Sequence, residues 1–219
     1  MSPRIRAVSF TLFADRVIDA TIHPAILQSL AIIPPEWELL TEPIFRDSQV
    51  QLVFTNQISL TINSECIVFS EIITQQQLPN LTIPSIIAAY LQFFYHIGYR
   101  SLFITSRSEI SFDLTTEIDE YIRQRLLLSN FWQSFSNQSK NDLNIKIAYP
   151  YKAGNFFLEI SYNNPEFLLS NNHTIYFTGS FFYSLSGNNE PEKLEHLQTL
   201  ISQWQIDVNN FSNFIEQHF

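Results

Sequence analysis

The chain opens on period-two alternation. Arg4, Arg6, Val8, Phe10 and Leu12 fall on one face of an extended segment, with Ser9 and Thr11 on the other, which predicts a half-buried first strand. A short helix is expected over His23 to Ala31, ended by Pro34-Pro35, because proline disfavours helical backbone in the residue before it. A meander follows. Trp37–Leu40 is a candidate strand, and Val50, Leu52 and Phe54 line one face of the next. Ile58, Leu60 and Ile62 line its neighbour across a turn near Asn56-Gln57, and Glu65–Ile73 completes the set.

The period then changes. Ile86, Ile87, Tyr90, Leu91, Phe94 and Ile97 recur at steps of three and four, which predicts an amphipathic helix with Thr82 as N-cap, Pro84 in its first turn and Gly98 as its stop. From Tyr99 to Phe112 alternation resumes, placing Arg100, Leu102, Ile104, Ile110 and Phe112 on one face and Arg107 and Glu109 on the other as a solvated pair. A helix capped by Asp113 or Thr115 is expected to run to about Leu128, with Ile118, Tyr121, Ile122 and Leu126 inward. Beyond the polar stretch SNQSKND come three strands at Leu143–Tyr149, Phe156–Tyr162 and Thr174–Leu185. The last element is a long helix opened by Glu190-Pro191-Glu192, with Leu194, Leu197, Ile201, Trp204, Val208, Phe211 and Ile215 as its apolar stripe.

Both halves of the chain thus read β-α-βββ-α, and Arg6-x-Val8-x-Phe10 recurs in pattern as Arg100-x-Leu102-x-Ile104. The expected fold class is α+β: two pseudo-duplicated β-α-βββ-α halves, 1–98 and 99–219, forming one antiparallel sheet gripped by long helices on its concave side. Two separable domains are the alternative.

Composition changes this picture mainly by exclusion. The 219 residues are 45% apolar and 15% charged, enough to bury a core. Twelve Lys and Arg against twenty-one Asp and Glu give a net charge of -9, which argues against a general nucleic-acid binder. Four scattered glycines leave no phosphate-binding loop, so no nucleotide cofactor is expected. The single Cys66 excludes an intrachain disulfide and a cysteine-built metal cage. The five histidines show no metal-ligand spacing, so neither metal nor cofactor is assigned. The N-terminal stretch alternates and is interrupted by Asp15, Arg16 and Asp19, unlike a signal peptide, and no run of eighteen apolar residues predicts a membrane span. With the lone cysteine, this points to the cytoplasm.

Three residues stand out as candidate binding groups. His96 lies where the second helix ends, where the helix dipole favours its charged form. Arg6 and Arg100 fall by alternation among core residues, where a guanidinium must reach solvent, meet a carboxylate or line a polar patch. Arg100 in particular is expected to be shielded from water and tied to a carboxylate or carbonyls of the other half. No nucleophile elbow or other catalytic motif is present, and no catalytic residue is assigned.

At residues 95–104 the sequence YHIGYRSLFI resembles the I-G-x-R-Y-x-N segment of a sporadically distributed, functionally uncharacterised bacterial family. Ile97, Gly98 and Arg100 match. Tyr99 stands where leucine is usual, and Leu102 and Phe103 depart from the Tyr-x-Asn continuation. The family's order of elements, ending in strands and a Phe-rich amphipathic helix, is similar to the order read here. The resemblance implies no known activity, only a cytoplasmic protein of variable or defence-associated gene neighbourhoods.

The expected function is a non-enzymatic interaction module whose partner is another protein, bound through the sheet or the long helices. The alternatives are a small-ligand binder with a cavity lined by some of the 32 aromatic residues, and an enzyme with a non-local site. A filled core beneath the last helix favours the first; an aromatic void containing an arginine favours the second.

Overall fold

In the computed structural model, which describes residues 3–15, 23–46, 49–74, 81–113, 115–126, 144–152, 154–163 and 173–219, nine strands join in one sheet. They are β1 (Arg4–Ala14), β2 (Ile44–Arg46), β3 (Gln49–Val53), β4 (Ile58–Ile62), β5 (Cys66–Ile72), β6 (Tyr99–Phe112), β7 (Asn144–Tyr151), β8 (Gly154–Asn163) and β9 (His173–Ser184). Their order is β2-β3-β4-β5-β1-β6-β9-β8-β7, every neighbouring pair antiparallel. The first strands of the two halves, β1 and β6, lie side by side at the centre. From there Leu52, Leu60, Phe69, Phe10, Ile104, Phe181 and Phe156 stand in register across seven strands, all buried. Burying each such side chain contributes about 1.5–3 kcal/mol, so this one row is a substantial part of the core.

The helices α2 (Ile83–Phe93), α3 (Thr115–Tyr121), α4 (Glu190–Ser202) and α5 (Trp204–His218) follow the periodicity, and α1 (Pro24–Ser29) is a single short turn after β1. Tyr90 of α2 meets Phe69 edge-on at 5.7 Å, Tyr121 meets Phe112 at 5.2 Å, and Trp204 meets Phe10 at 6.4 Å. Phe211 rests on Gly179, where an added Cβ would lie 2.4 Å from its ring. Phe69, Phe112, Phe10 and Gly179 all point to one side of the pleat, so α2, α3 and α5 share that side of the sheet.

Several elements end differently from the expectation, each for a local reason. The first helix stops at Ser29 because Ala31 takes a left-handed φ of 53°, before the prolines can act. Trp37–Leu40 forms only an isolated bridge, Leu39 to Phe54, and the unforeseen β2 provides the edge instead. Thr82 is already helical in φ and ψ and caps nothing; the α2 N-terminus is capped by Glu71 across the β5–α2 connection, its Oε2 accepting from Thr82 N at 2.8 Å and Ile83 N at 3.2 Å. After α3 the backbone continues as a π-helical turn, Ile122–Leu126; residues 127 and 128, the expected end, and the stretch 136–142 lie outside the described residues. The C-terminal helix is two helices broken at Gln203. Just before the break, Thr199 Oγ1 donates to Glu195 O and Ser202 Oγ to Thr199 O, a back-bonding that loosens the helical ladder. The α4 start is capped by Asn189, whose Oδ1 accepts from Glu192 N, while the Glu192 carboxylate accepts from Asn188 N and Asn189 Nδ2.

Candidate functional site

The three sequence candidates do not form one cluster. His96 sits exposed in the turn Tyr95–Ile97, one step past the end of α2, with the rings of Phe94 and Tyr95 beside it. Arg6 and Arg100 both lie away from the core, contrary to the alternation. The β1–β6 register steps from Ile5/Ser108 to Ala7/Arg107, so Arg6 is the extra residue of a bulge. At the other end it steps from Phe13/Ser101 to Ala14/Tyr99, so Arg100 is the extra residue of a second bulge. A bulge resets which face a side chain occupies, and that overturns the parity argument for both arginines. Arg6 Nε donates to Glu109 Oε1 at 2.9 Å, an ion pair between the halves. Arg100 is exposed rather than shielded; its guanidinium lies 5.7 Å from the centre of the Phe13 ring. Arg107 is not paired with Glu109, which Arg6 has taken, and sits 4.2 Å over the Tyr176 ring.

These arginines share the outer face of the sheet, the side opposite α2, α3 and α5. Ser9, Thr11, Ser59, Thr61, Ser70, Thr105, Thr178 and Ser180 supply its hydroxyls, with Thr105 and Ser180 hydrogen-bonded at 2.9 Å. Toward the Arg100 end of the strands runs a row of phenylalanines from four adjacent strands. Phe103 touches Phe13 at 5.8 Å, Phe182 at 4.8 Å and Phe157 at 6.3 Å between ring centres, and Phe157 is 39% exposed. Beside Phe157 a shallow groove of about 190 Å³ is bounded by Thr178, Ser180, Ala148 and the Lys146–Glu159 ion pair. No described helix packs on this face.

The helix side carries a different polar cluster. Asp207 of α5, 3% exposed, accepts from Tyr183 Oη at 2.7 Å, Tyr151 Oη at 3.1 Å and Lys152 Nζ at 3.1 Å, and Asn210 donates to Tyr151 Oη at 2.7 Å. Burial and the neighbouring carboxylate push the Tyr183 phenol well above its ordinary range. Burial opposes the charge on Lys152, but its hydrogen bonds to Tyr151 and Asp207 outweigh that and raise its pKa. Every oxygen of Asp207 is engaged by donors from the β7–β8 turn and β9, so the cluster ties α5 to the sheet end. The sequence reading missed it. The signal was an acid at position 207, between Trp204 and Phe211 on an otherwise apolar stripe.

Among the described residues no group of His, Cys, Asp and Glu is placed to hold a metal ion. Among them, too, no helix is long and apolar enough to cross a membrane. Cys66 is buried on the outer side of β5, where burial pushes its thiol pKa up, the state of a packed rather than a reactive cysteine. No family model matches the chain, and no curated protein matches it.

Proposed function

We propose that the protein is a non-enzymatic protein-interaction module that receives its partner on the outer face of the sheet. The observation that carries this reading is the connected row Phe13, Phe103, Phe182 and Phe157 on a face otherwise made of hydroxyls and arginines. Contiguous aromatic surface within a polar rim is the anatomy of an association site. The small-ligand reading has less support, because Phe211 already fills the space over Gly179 beneath α5. The cytoplasm is the proposed setting.

The same reading extends to the scaffold. We infer that the two halves are copies of one β-α-βββ-α unit, with the long helices gripping the sheet. Moving 94 positions from β1 to β6 takes Arg6 to Arg100, and the two bulges fall at those positions, on opposite ends of one strand pair. The pair Phe10/Ile104 then maps onto itself, as a two-fold axis between the halves requires. In each half the meander runs from a sheet edge inward and ends beside its own first strand, β5 on β1 and β9 on β6.

The test is site-specific photocrosslinking in the expressing host, with the crosslinker at Phe157 on the outer face or at Ile206, an exposed position of α5. A protein captured from position 157 and not 206, and lost on Phe103→Ser in a variant with unchanged circular dichroism, is the expected result. Capture from position 206 alone overturns the assignment of the face.

A further inference from the structure

The outer face differs in charge from the rest of the molecule. Following the register outward from the two bulges, the strands present Arg4, Arg6, Arg46, Arg100, Arg107 and Lys146 on this side, against only Glu109 and Glu159. Half of the chain's twelve basic residues therefore stand on one face of a protein whose net charge is -9. The helices on the other side carry exposed Glu117, Glu120, Glu190, Glu192, Glu195 and Glu216. Among the described residues, then, positive charge prevails on the outer face of the sheet and negative charge on the helices. Both outward carboxylates are already engaged, Glu109 by Arg6 and Glu159 by Lys146 at 3.3 Å. Arg100 and Arg107 make no carboxylate ion pair among the described residues; they rest on the Phe13 and Tyr176 rings, guanidinium planes open to a further partner.

From this we infer that the segment docked on the outer face is an acidic, aromatic- or aliphatic-bearing stretch of another protein. The inference rests on the protein-docking reading above and names its partner's chemistry. Arg100 and Arg107 stand at two points of β6, seven residues apart, which is about 20 Å along a strand. An extended segment of about six or seven residues spans that distance, places carboxylates on both guanidiniums and lays apolar side chains on Phe103 and Phe182 between them. Guanidinium is suited to carboxylate because its planar fork donates two parallel hydrogen bonds while its face stays on the ring beneath. A polynucleotide fits less well: it brings a charge with every nucleotide, whereas the two guanidiniums without a carboxylate partner stand about 20 Å apart along β6, on either side of Phe103, and the acidic helix layer lies one sheet thickness behind.

The experiment selects from a displayed library of random twelve-residue peptides on the immobilised full chain, then measures one synthetic winner by fluorescence anisotropy. Expected are winners rich in Asp and Glu with at least one large apolar residue, and binding that weakens about tenfold or more in Arg100→Glu/Arg107→Glu and with rising salt. A winner remade with Lys for its acids should bind the doubly substituted chain and not the natural one. Glu195→Lys/Glu216→Lys on the helix side should leave affinity unchanged. Arg100→Ser/Arg107→Ser, which adds no repulsion, gives a smaller loss in the same direction. Winners without acidic bias that still depend on Phe103 overturn the acidic partner and leave the docking face standing. Winners indifferent to Phe103 overturn both. A fluorescent oligouridylate that binds the same face more tightly than any peptide replaces the protein partner by single-stranded nucleic acid, and self-association of the chain through this face replaces it by a second copy.

Discussion

Gly179 is the place where the absence of a side chain decides how α5 sits. An alanine Cβ there would lie 2.4, 2.7 and 2.9 Å from three atoms of the Phe211 ring, all well inside van der Waals contact. The ring must retreat by about 1 Å to restore contact, and it is fully buried, with Phe156 close by at 6.5 Å. Overpacking of this kind costs about 1–3 kcal/mol, while replacing a strand glycine lowers the entropy of the unfolded chain by an equivalent of about 0.4–1 kcal/mol in the opposite direction. Gly179→Ala should therefore destabilise by about 1–2 kcal/mol net, a fall in Tm of roughly 2–8 °C for a chain of this size. Chemical denaturation followed by tryptophan fluorescence and by circular dichroism gives both quantities. Phe211→Leu should destabilise alone but recover part of the loss when combined with Gly179→Ala, a favourable coupling of roughly 0.5–2 kcal/mol in the double-mutant cycle. If Gly179→Ala is neutral or stabilising and no coupling appears, there is room under α5, and the small-ligand reading regains its footing.

Other expectations follow from the same packing. Asp207→Ala strands the hydroxyls of Tyr151 and Tyr183 and the Lys152 ammonium, and should cost about 3–5 kcal/mol by urea denaturation, whereas Lys152→Met, at a half-exposed site, should cost far less. Among the described residues Tyr90 Oη, Ser106 Oγ and Ser108 Oγ are buried without hydrogen-bond partners, so Tyr90→Phe and Ser106→Ala should be neutral or stabilising by up to about 1 kcal/mol; a clear loss in either would reveal a further partner. Burial raises the phenols of Tyr90, Tyr99 and Tyr183 in the folded state, and that of Tyr121 to about 12. Folded values above unfolded ones stabilise fully below the ordinary tyrosine pKa near 10 and lose that contribution as pH climbs through the folded values. Stability should fall above about pH 10, with tyrosinate absorbance at 295 nm rising in step with unfolding; early, non-cooperative ionisation of all nine tyrosines would contradict this.

Strand alternation and helical spacing were legible wherever one residue type dominated a face, which is why β1, β6, β8 and β9 lie close to their expected limits, while α2 stops at Phe93, short of the expected Gly98. What escaped was set by single residues acting across the fold. A bulge has no composition, so the parity of Arg6 and Arg100 could not reveal that both had been turned outward. The cap of α2 comes from Glu71, eleven residues before Thr82, and the Asp207 cluster gathers groups from 56 residues away. Gln203 stands at a polar position between two stretches of one continuous apolar stripe, so the break there left the period intact. The outer face was hidden for another reason. Its phenylalanines are spread over four strands, and only the strand order brings them together.

The pairing of β1 with β6 also orders events during synthesis. β1 finds β5 once about seventy residues have been made, but its other edge is closed only by Tyr99–Phe112. At a ribosomal rate of about 5–20 residues per second, that edge stays unpaired for seconds while the intervening chain is translated and the exit tunnel is cleared. An open strand edge in a nascent chain is a template for wrong partners. Arg4 and Arg6 at its start place charge on that strand, a usual guard against premature pairing. Slowed translation between residues 73 and 98 would lengthen the exposed interval, and aggregation of the newly made chain should rise with it.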